Sequence, residues 1–170
     1  MSEMTEQNEE NEGAAQKEDS GTRQYISFTV GKETYAVEIT TVREIKGWIP
    51  TTNLPNSPEH MRGVLNLRGL IVPVFDLRAR FNKGLTEPGK THVVIIVTIG
   101  EKTVGVLVDA VSDILTITAS EVRPVPDADK NPEHFFIAGL VPVDEMMVAL
   151  LNLERLFDMS EIPEMDADAA

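Results

Sequence analysis

The chain has 170 residues, 42% of them apolar, a formal net charge of −13 and no cysteine. That is enough apolar material for one compact domain or two small ones, and the missing thiols exclude disulfides, iron–sulfur clusters, thiolate zinc sites and a cysteine nucleophile. The charge sits at the ends: residues 1–20 hold seven acids against Lys17 and residues 158–170 hold five with no Lys or Arg, so the tails contribute −6 and −5 and residues 21–157 only −2.

Both tails, 1–20 and 159–170, are poor in large apolar residues and are expected to be disordered, leaving a folded domain over 21–158. A nearly neutral body without a basic stripe gives no nucleic-acid footprint. The nine aromatic residues form no stacking series beside basic ones, and acidic tails would repel a phosphate backbone. No segment approaches the roughly 18 to 20 apolar residues of a membrane span, and the amino terminus is acidic where a secretory signal is basic. A soluble, cytoplasmic protein is expected.

Short β-type runs begin at residue 23. Ile26, Phe28 and Val30 alternate with Tyr25, Ser27 and Thr29, and Gly31-Lys32 offers a turn into 33–37, so the fold should open with a hairpin. Ile39, Val42 and Ile45 then recur at helical spacing and Thr41 with Glu44 has capping-box spacing, which predicts a short helix ending before Gly47. Irregular chain follows from Pro50 to Pro58. Ser57-Pro58-Glu59 reads as an N-cap, a proline at the first helical position and an acid near the positive helix end, and Gly63 as the stop of that turn.

The next run is apolar but interrupted by Arg68-Gly69. A buried unpaired arginine is costly and a glycine weakens a strand, so the pair is expected at a hairpin tip between strands 64–67 and 70–75. Residues 91–99 and 102–108 flank Gly100-Glu101, a glycine-first pair suited to a type II′ turn. Further strands are predicted over 111–117, 135–141 and 146–151. The segment from Val72 to Phe81 parallels that from Val148 to Phe157, each a strand running into Asp76 or Asn152 as N-cap and then a short amphipathic helix; two similar subdomains or coincidence would produce it. Short strands at close spacing with glycine turns predict an all-β fold of barrels or a sandwich.

Catalytic groups are thin. His60, His92 and His134 have no ligand spacing and read as surface or locally bonded side chains. The run from Asp127 to Asn131 starts like a calcium loop, yet Pro132 stands where glycine is required and Ala138 where a glutamate should bind. Walker and dinucleotide fingerprints are missing, and Ser112 lacks the glycines of a nucleophile elbow. No metal or cofactor is expected.

Three ordered motifs carry a family resemblance. Gly63-Val-Leu-Asn-Leu-Arg-Gly-Leu-Ile-Val-Pro-Val-Phe-Asp-Leu-Arg78 resembles the signature of CheW, the chemotaxis coupling family; Tyr35-Ala-Val-Glu-Ile-Thr-Thr-Val-Arg-Glu-Ile45 and Val104-Gly-Val-Leu-Val-Asp-Ala-Val-Ser-Asp-Ile114 resemble its flanking elements. The resemblance implies two interlocked five-stranded SH3-like β-barrels with short helices and no catalysis. It further implies an adaptor at membrane-associated arrays, bridging chemoreceptor cytoplasmic tips to the regulatory domain of the histidine kinase CheA. The tail beyond the core is too short for a response-regulator domain, which points to the stand-alone coupler and away from CheV. Arg68 is then the expected receptor-binding residue, with Val42, Glu44, Gly63 and Gly69 beside it. For Val42 a core role stands equally, and Gly63 and Gly69 have the alternative of supplying backbone freedom. Trp48 fits either an interface or an anchor for the proline loop. Competing readings are an adaptor for a different chemosensory kinase pathway, and an enzyme or small-ligand barrel using Asp109, Asp113 or a histidine.

Overall fold

The computed structural model describes residues 21–126 and 132–157; both tails and the calcium-like run after Pro126 lie outside the described residues. Ten strands form two five-stranded sheets. In chain order they are β1 (Thr22–Val30), β2 (Glu33–Glu38), β3 (Val42–Gly47), β4 (Met61–Leu67), β5 (Leu70–Asp76), β6 (Val93–Ile99), β7 (Lys102–Val108), β8 (Ala110–Thr118), β9 (Ile137–Val143) and β10 (Met146–Leu151). One-turn helices α1 (Leu77–Arg80) and α2 (Leu153–Leu156) follow β5 and β10.

The sheet orders are β8-β1-β2-β10-β9 and β3-β6-β7-β5-β4. Each sheet therefore takes one hairpin from one half of the chain and three strands from the other, which is the interlocked SH3-like arrangement. The repeat is structural: Val74 pairs in parallel with Gly105 as Leu150 does with Ala36. Asp76 and Asn152 each cap the helix that follows, accepting from Ala79 N–H and Arg155 N–H. The sheets do not close by a continuous ladder. A single bridge brings each near closure, Thr52 with Val64 and Arg123 with Leu140.

Alternation of period two along the central strands fills three cores. Ile95, Val97 and Ile99 of β6 point into the largest cluster, which draws on both sheets and both helices and contains Phe28, Tyr35, Phe75, Phe81 and Phe157. Val94 and Ile96 point instead into one barrel, with Leu65, Val72, Val74 and Leu107. Ala36, Ile117, Val141, Val148 and Leu150 fill the other.

The glycine hairpins form as expected. Arg68 and Gly69 both have positive φ (52° and 91°), the signature of a type I′ turn, and Gly69 N–H donates to Asn66 Oδ1 at 2.9 Å. Gly100, at φ 61°, opens the β6–β7 turn.

Three expectations are corrected. The helix predicted over Ile39 to Ile45 is a 3-10 turn, Ile39–Thr41, followed by strand β3. Spacing of three is ambiguous in a run rich in β-branched residues, which favour strands, and Thr41 donates its hydroxyl back to Glu38 C=O at 2.6 Å in place of capping. Ser57 caps no helix; its Oγ donates to Leu54 C=O at 2.9 Å within a turn that includes Asn56 at φ 60°. Gly63 accordingly stops nothing, and lies inside β4. Finally, the strand predicted from 135 begins at Ile137, because Pro132–Phe136 forms a 3-10 turn.

Candidate functional site

The type I′ turn lifts Arg68 clear of the barrel, with its side chain 76% exposed. Across the barrel mouth β3 presents Glu44, and Arg68 Nη2 donates to Glu44 Oε2 at 2.7 Å. β3 and β4 are opposite edges of the same sheet, so this ion pair ties the rim where no ladder joins it. Lys46 Nζ lies 3.7 Å from the other Glu44 oxygen. An exposed pair of this kind adds little stability, about 0 to 1 kcal/mol, which leaves the guanidinium free to exchange its partner for another acid.

Of the five residues singled out by sequence, Arg68, Gly69 and Glu44 come together at this rim. Val42 begins the same strand but packs half-buried against the main core. A bulge at Arg43 separates it from Glu44: Val42 pairs with Val97 and Glu44 with Ile96. Gly63 lies away from the tip, buried, at φ 136°. A Cβ there would meet Thr52 O at 2.3 Å, so glycine is what allows the bridge between Thr52 and Val64. Trp48 packs half-buried on the barrel core with the Arg62 guanidinium 5.6 Å from its ring.

Sequence reasoning passed over Ile45. It follows Glu44, turns to the opposite face and is 41% exposed, while its cross-strand partner Ile95 is buried in the main core. Ile114 on β8 repeats the arrangement beside Ile26 and is 54% exposed. Each sheet thus leaves an edge-strand isoleucine in water, and alternation in β3 would have revealed Ile45 had the segment been read as a strand.

Of the residues weighed for chemistry, His92 and Asp109 come together and the others stand apart. His60 stacks on Phe75 and His134 approaches Pro126 C=O at 2.8 Å. His92 accepts Gly89 N–H and sets Nε2 3.4 Å from Asp109 Oδ1, within a cluster that also engages Arg78. Asp113 is exposed on β8. Among the described residues no group of three or more His, Asp or Glu could hold a metal ion, and no helix is long and apolar enough to cross a membrane.

A family model, the CheW-like domain, matches residues 24–161. A probable chemotaxis protein CheW of Rhizobium etli is 43% identical, over 83% of this chain and 91% of that protein. Chemotaxis protein CheW of Rhizobium meliloti is 39% identical, over 87% and 96%. Among solved structures, the scaffolding protein TtCheW of Thermoanaerobacter tengcongensis superposes with a TM-score of 0.75 at 30% identity, covering 84% of this chain and 92% of that one.

Proposed function

The chain belongs to the CheW-like family, and from that premise we propose that it is a non-enzymatic chemotaxis scaffold that couples chemoreceptor cytoplasmic tips to the histidine kinase CheA. It works in the cytoplasm at membrane-associated receptor arrays and lets receptors control kinase autophosphorylation. That the structural neighbour TtCheW is a scaffolding protein supports the adaptor role. The receptor side is carried by one observation: the exposed Arg68 guanidinium, paired among the described residues only with Glu44 across the rim.

A helical tip meeting this rim would lay an apolar stripe against the half-buried Leu67 and Leu70 that flank the turn and offer an acid or a helix-end carbonyl to Arg68. Glu44 holds the guanidinium in place until the exchange and competes with the receptor acid for it. Gly69 keeps the tip narrow enough for close approach. Val42 supports the site from below through its core packing and Gly63 through the barrel bridge.

Arg68→Glu tests the assignment. Its solvent exposure makes the change nearly neutral for stability, although the new carboxylate faces Glu44. Affinity for a purified receptor tip fragment, measured by calorimetry, should fall roughly 30-fold, the scale of losing an interface hot spot. Unchanged affinity in a folded variant would remove Arg68 from the interface.

A further inference from the structure

The two halves of this fold form an internal control for one another. Where β5 and β7 separate, the junction is filled by the chain's own charges. Arg78 Nη2 donates to Asp109 Oδ2 at 2.9 Å, and the same oxygen accepts the Gly31 N–H of the β1–β2 tip at 2.7 Å. The matching junction, where β10 and β2 separate, uses the same parts: Gly100 tips its hairpin as Gly31 does (φ 61° and 63°), and α2 stands for α1. Two residues break the match. In the aligned registers Glu154 occupies the place of Arg78, and Thr40 that of Asp109.

The second junction is consequently open. A cavity of about 380 Å³ lies there, with an apolar wall of Ile99, Leu150, Leu151 and Leu153 and a polar mouth that includes Glu38, Gly100, Asn152 and Glu154. Among the described residues no Lys, Arg or His lines it. Glu38 already holds exposed Arg23 at 2.5 Å, whereas Glu154 has no cationic partner among the described residues. Tyr25 also lines the cavity, and burial, followed by the Glu38 carboxylate, pushes its phenol above the ordinary value of 10.0, so it remains a neutral hydroxyl.

We infer that this cleft receives an arginine side chain from a partner protein, its guanidinium seated against Glu154 where the other half of the fold supplies Arg78. The apolar wall accommodates the methylene stem and the acidic mouth the planar fork, a combination that suits arginine better than the more strongly hydrated ammonium of lysine. An acidic occupant, such as either tail of this chain, is excluded by charge. The cleft shares no residue with the Arg68 rim, and the inference stands independently of the receptor reading.

The test needs neither receptor nor kinase. The full chain, labelled with nitrogen-15, is titrated with N-acetylarginine methylamide and followed by heteronuclear NMR. Saturable shifts should cluster at the amides of Gly100, Asn152 and Glu154, and N-acetyllysine methylamide should bind several-fold more weakly. Glu154→Gln should weaken the arginine probe about tenfold, the difference between a charge-assisted and a neutral hydrogen bond. Glu154→Arg, which restores the residue found in the other half, should abolish binding. Glu154 is exposed, so both variants keep the fold, verified by unchanged resonances elsewhere. The inference is overturned if no saturable shift reaches those amides, or if Glu154→Gln binds the probe as the parent does.

Discussion

Asp76→Ala should lower the unfolding free energy by about 3 kcal/mol, the range set by stranding buried partners of a deleted carboxylate. Asp76 is the only fully buried charged residue among those described, and it ends β5. Its oxygens accept Thr86 N–H and the Thr86 hydroxyl, each at 2.7 Å, and Ala79 N–H at 3.4 Å. Arg62 Nη1 stands 3.5 Å away and donates to Thr86 C=O at 3.0 Å. Alanine would orphan a backbone amide and a hydroxyl on Thr86, itself buried, and leave Arg62 without its carboxylate. The segment between α1 and β6 would lose its internal tether. Urea unfolding with an unchanged m-value checks the figure. The matching change in the other half, Asn152→Ala, removes chiefly a helix cap and should cost about 1 kcal/mol. Equal losses at the two positions would refute the network at Asp76.

Gly63→Val should cost roughly 3 to 5 kcal/mol, combining positive-φ strain with loss of the barrel bridge. At φ 136° an L side chain is strained whatever the space, and the new Cβ would sit 2.3 Å from Thr52 O and 2.8 Å from its carbonyl carbon. Backbone must move, which sacrifices the reciprocal hydrogen bonds of Thr52 and Val64 at 2.9 and 2.8 Å. The melting temperature should fall by roughly 10 °C for a domain of this size. Gly139→Val, at the equivalent place in the second barrel, should be milder. Its nearest obstacle is the Val122 side chain at 2.3 Å, and its φ is not positive. Any loss of partner binding in Gly63 variants would then reach the Arg68 rim through a shifted barrel edge and not through a missing contact. A Gly63→Val protein that melts with the parent would contradict the closing role assigned to the glycine.

The legible parts of this fold are those fixed by neighbours in sequence. Arg68-Gly69, Gly31-Lys32 and Gly100-Glu101 announce hairpins because a tight turn demands positive φ within two residues. Asp76 and Asn152 announce helices because a cap acts three residues ahead. The Ile39 to Ile45 stretch misled because apolar residues three apart satisfy a helix and, once a bulge at Arg43 is admitted, a strand equally well. That misreading also hid Ile45, whose exposure follows from strand alternation. The Asp76 network was invisible for another reason. Thr86 stands ten residues on in a segment with no periodicity, and only the folded chain brings it to the carboxylate. The interlocking of the halves came from family motifs, since strand spacing alone fits a sandwich as well as paired barrels.

Reconstitution tests the coupling role most directly. This protein is titrated into purified receptor tip fragment and CheA, and kinase autophosphorylation is followed with parent protein, Arg68→Glu, and the charge-exchanged pair Arg68→Glu with Glu44→Arg. Autophosphorylation should become receptor-dependent only when the parent protein is present, and neither variant should restore it in full, because the receptor acid then meets a reversed or displaced charge. If receptor dependence is the same with and without this protein, or if it binds neither partner while folded, the coupling role is contradicted and the barrel pair serves other partners.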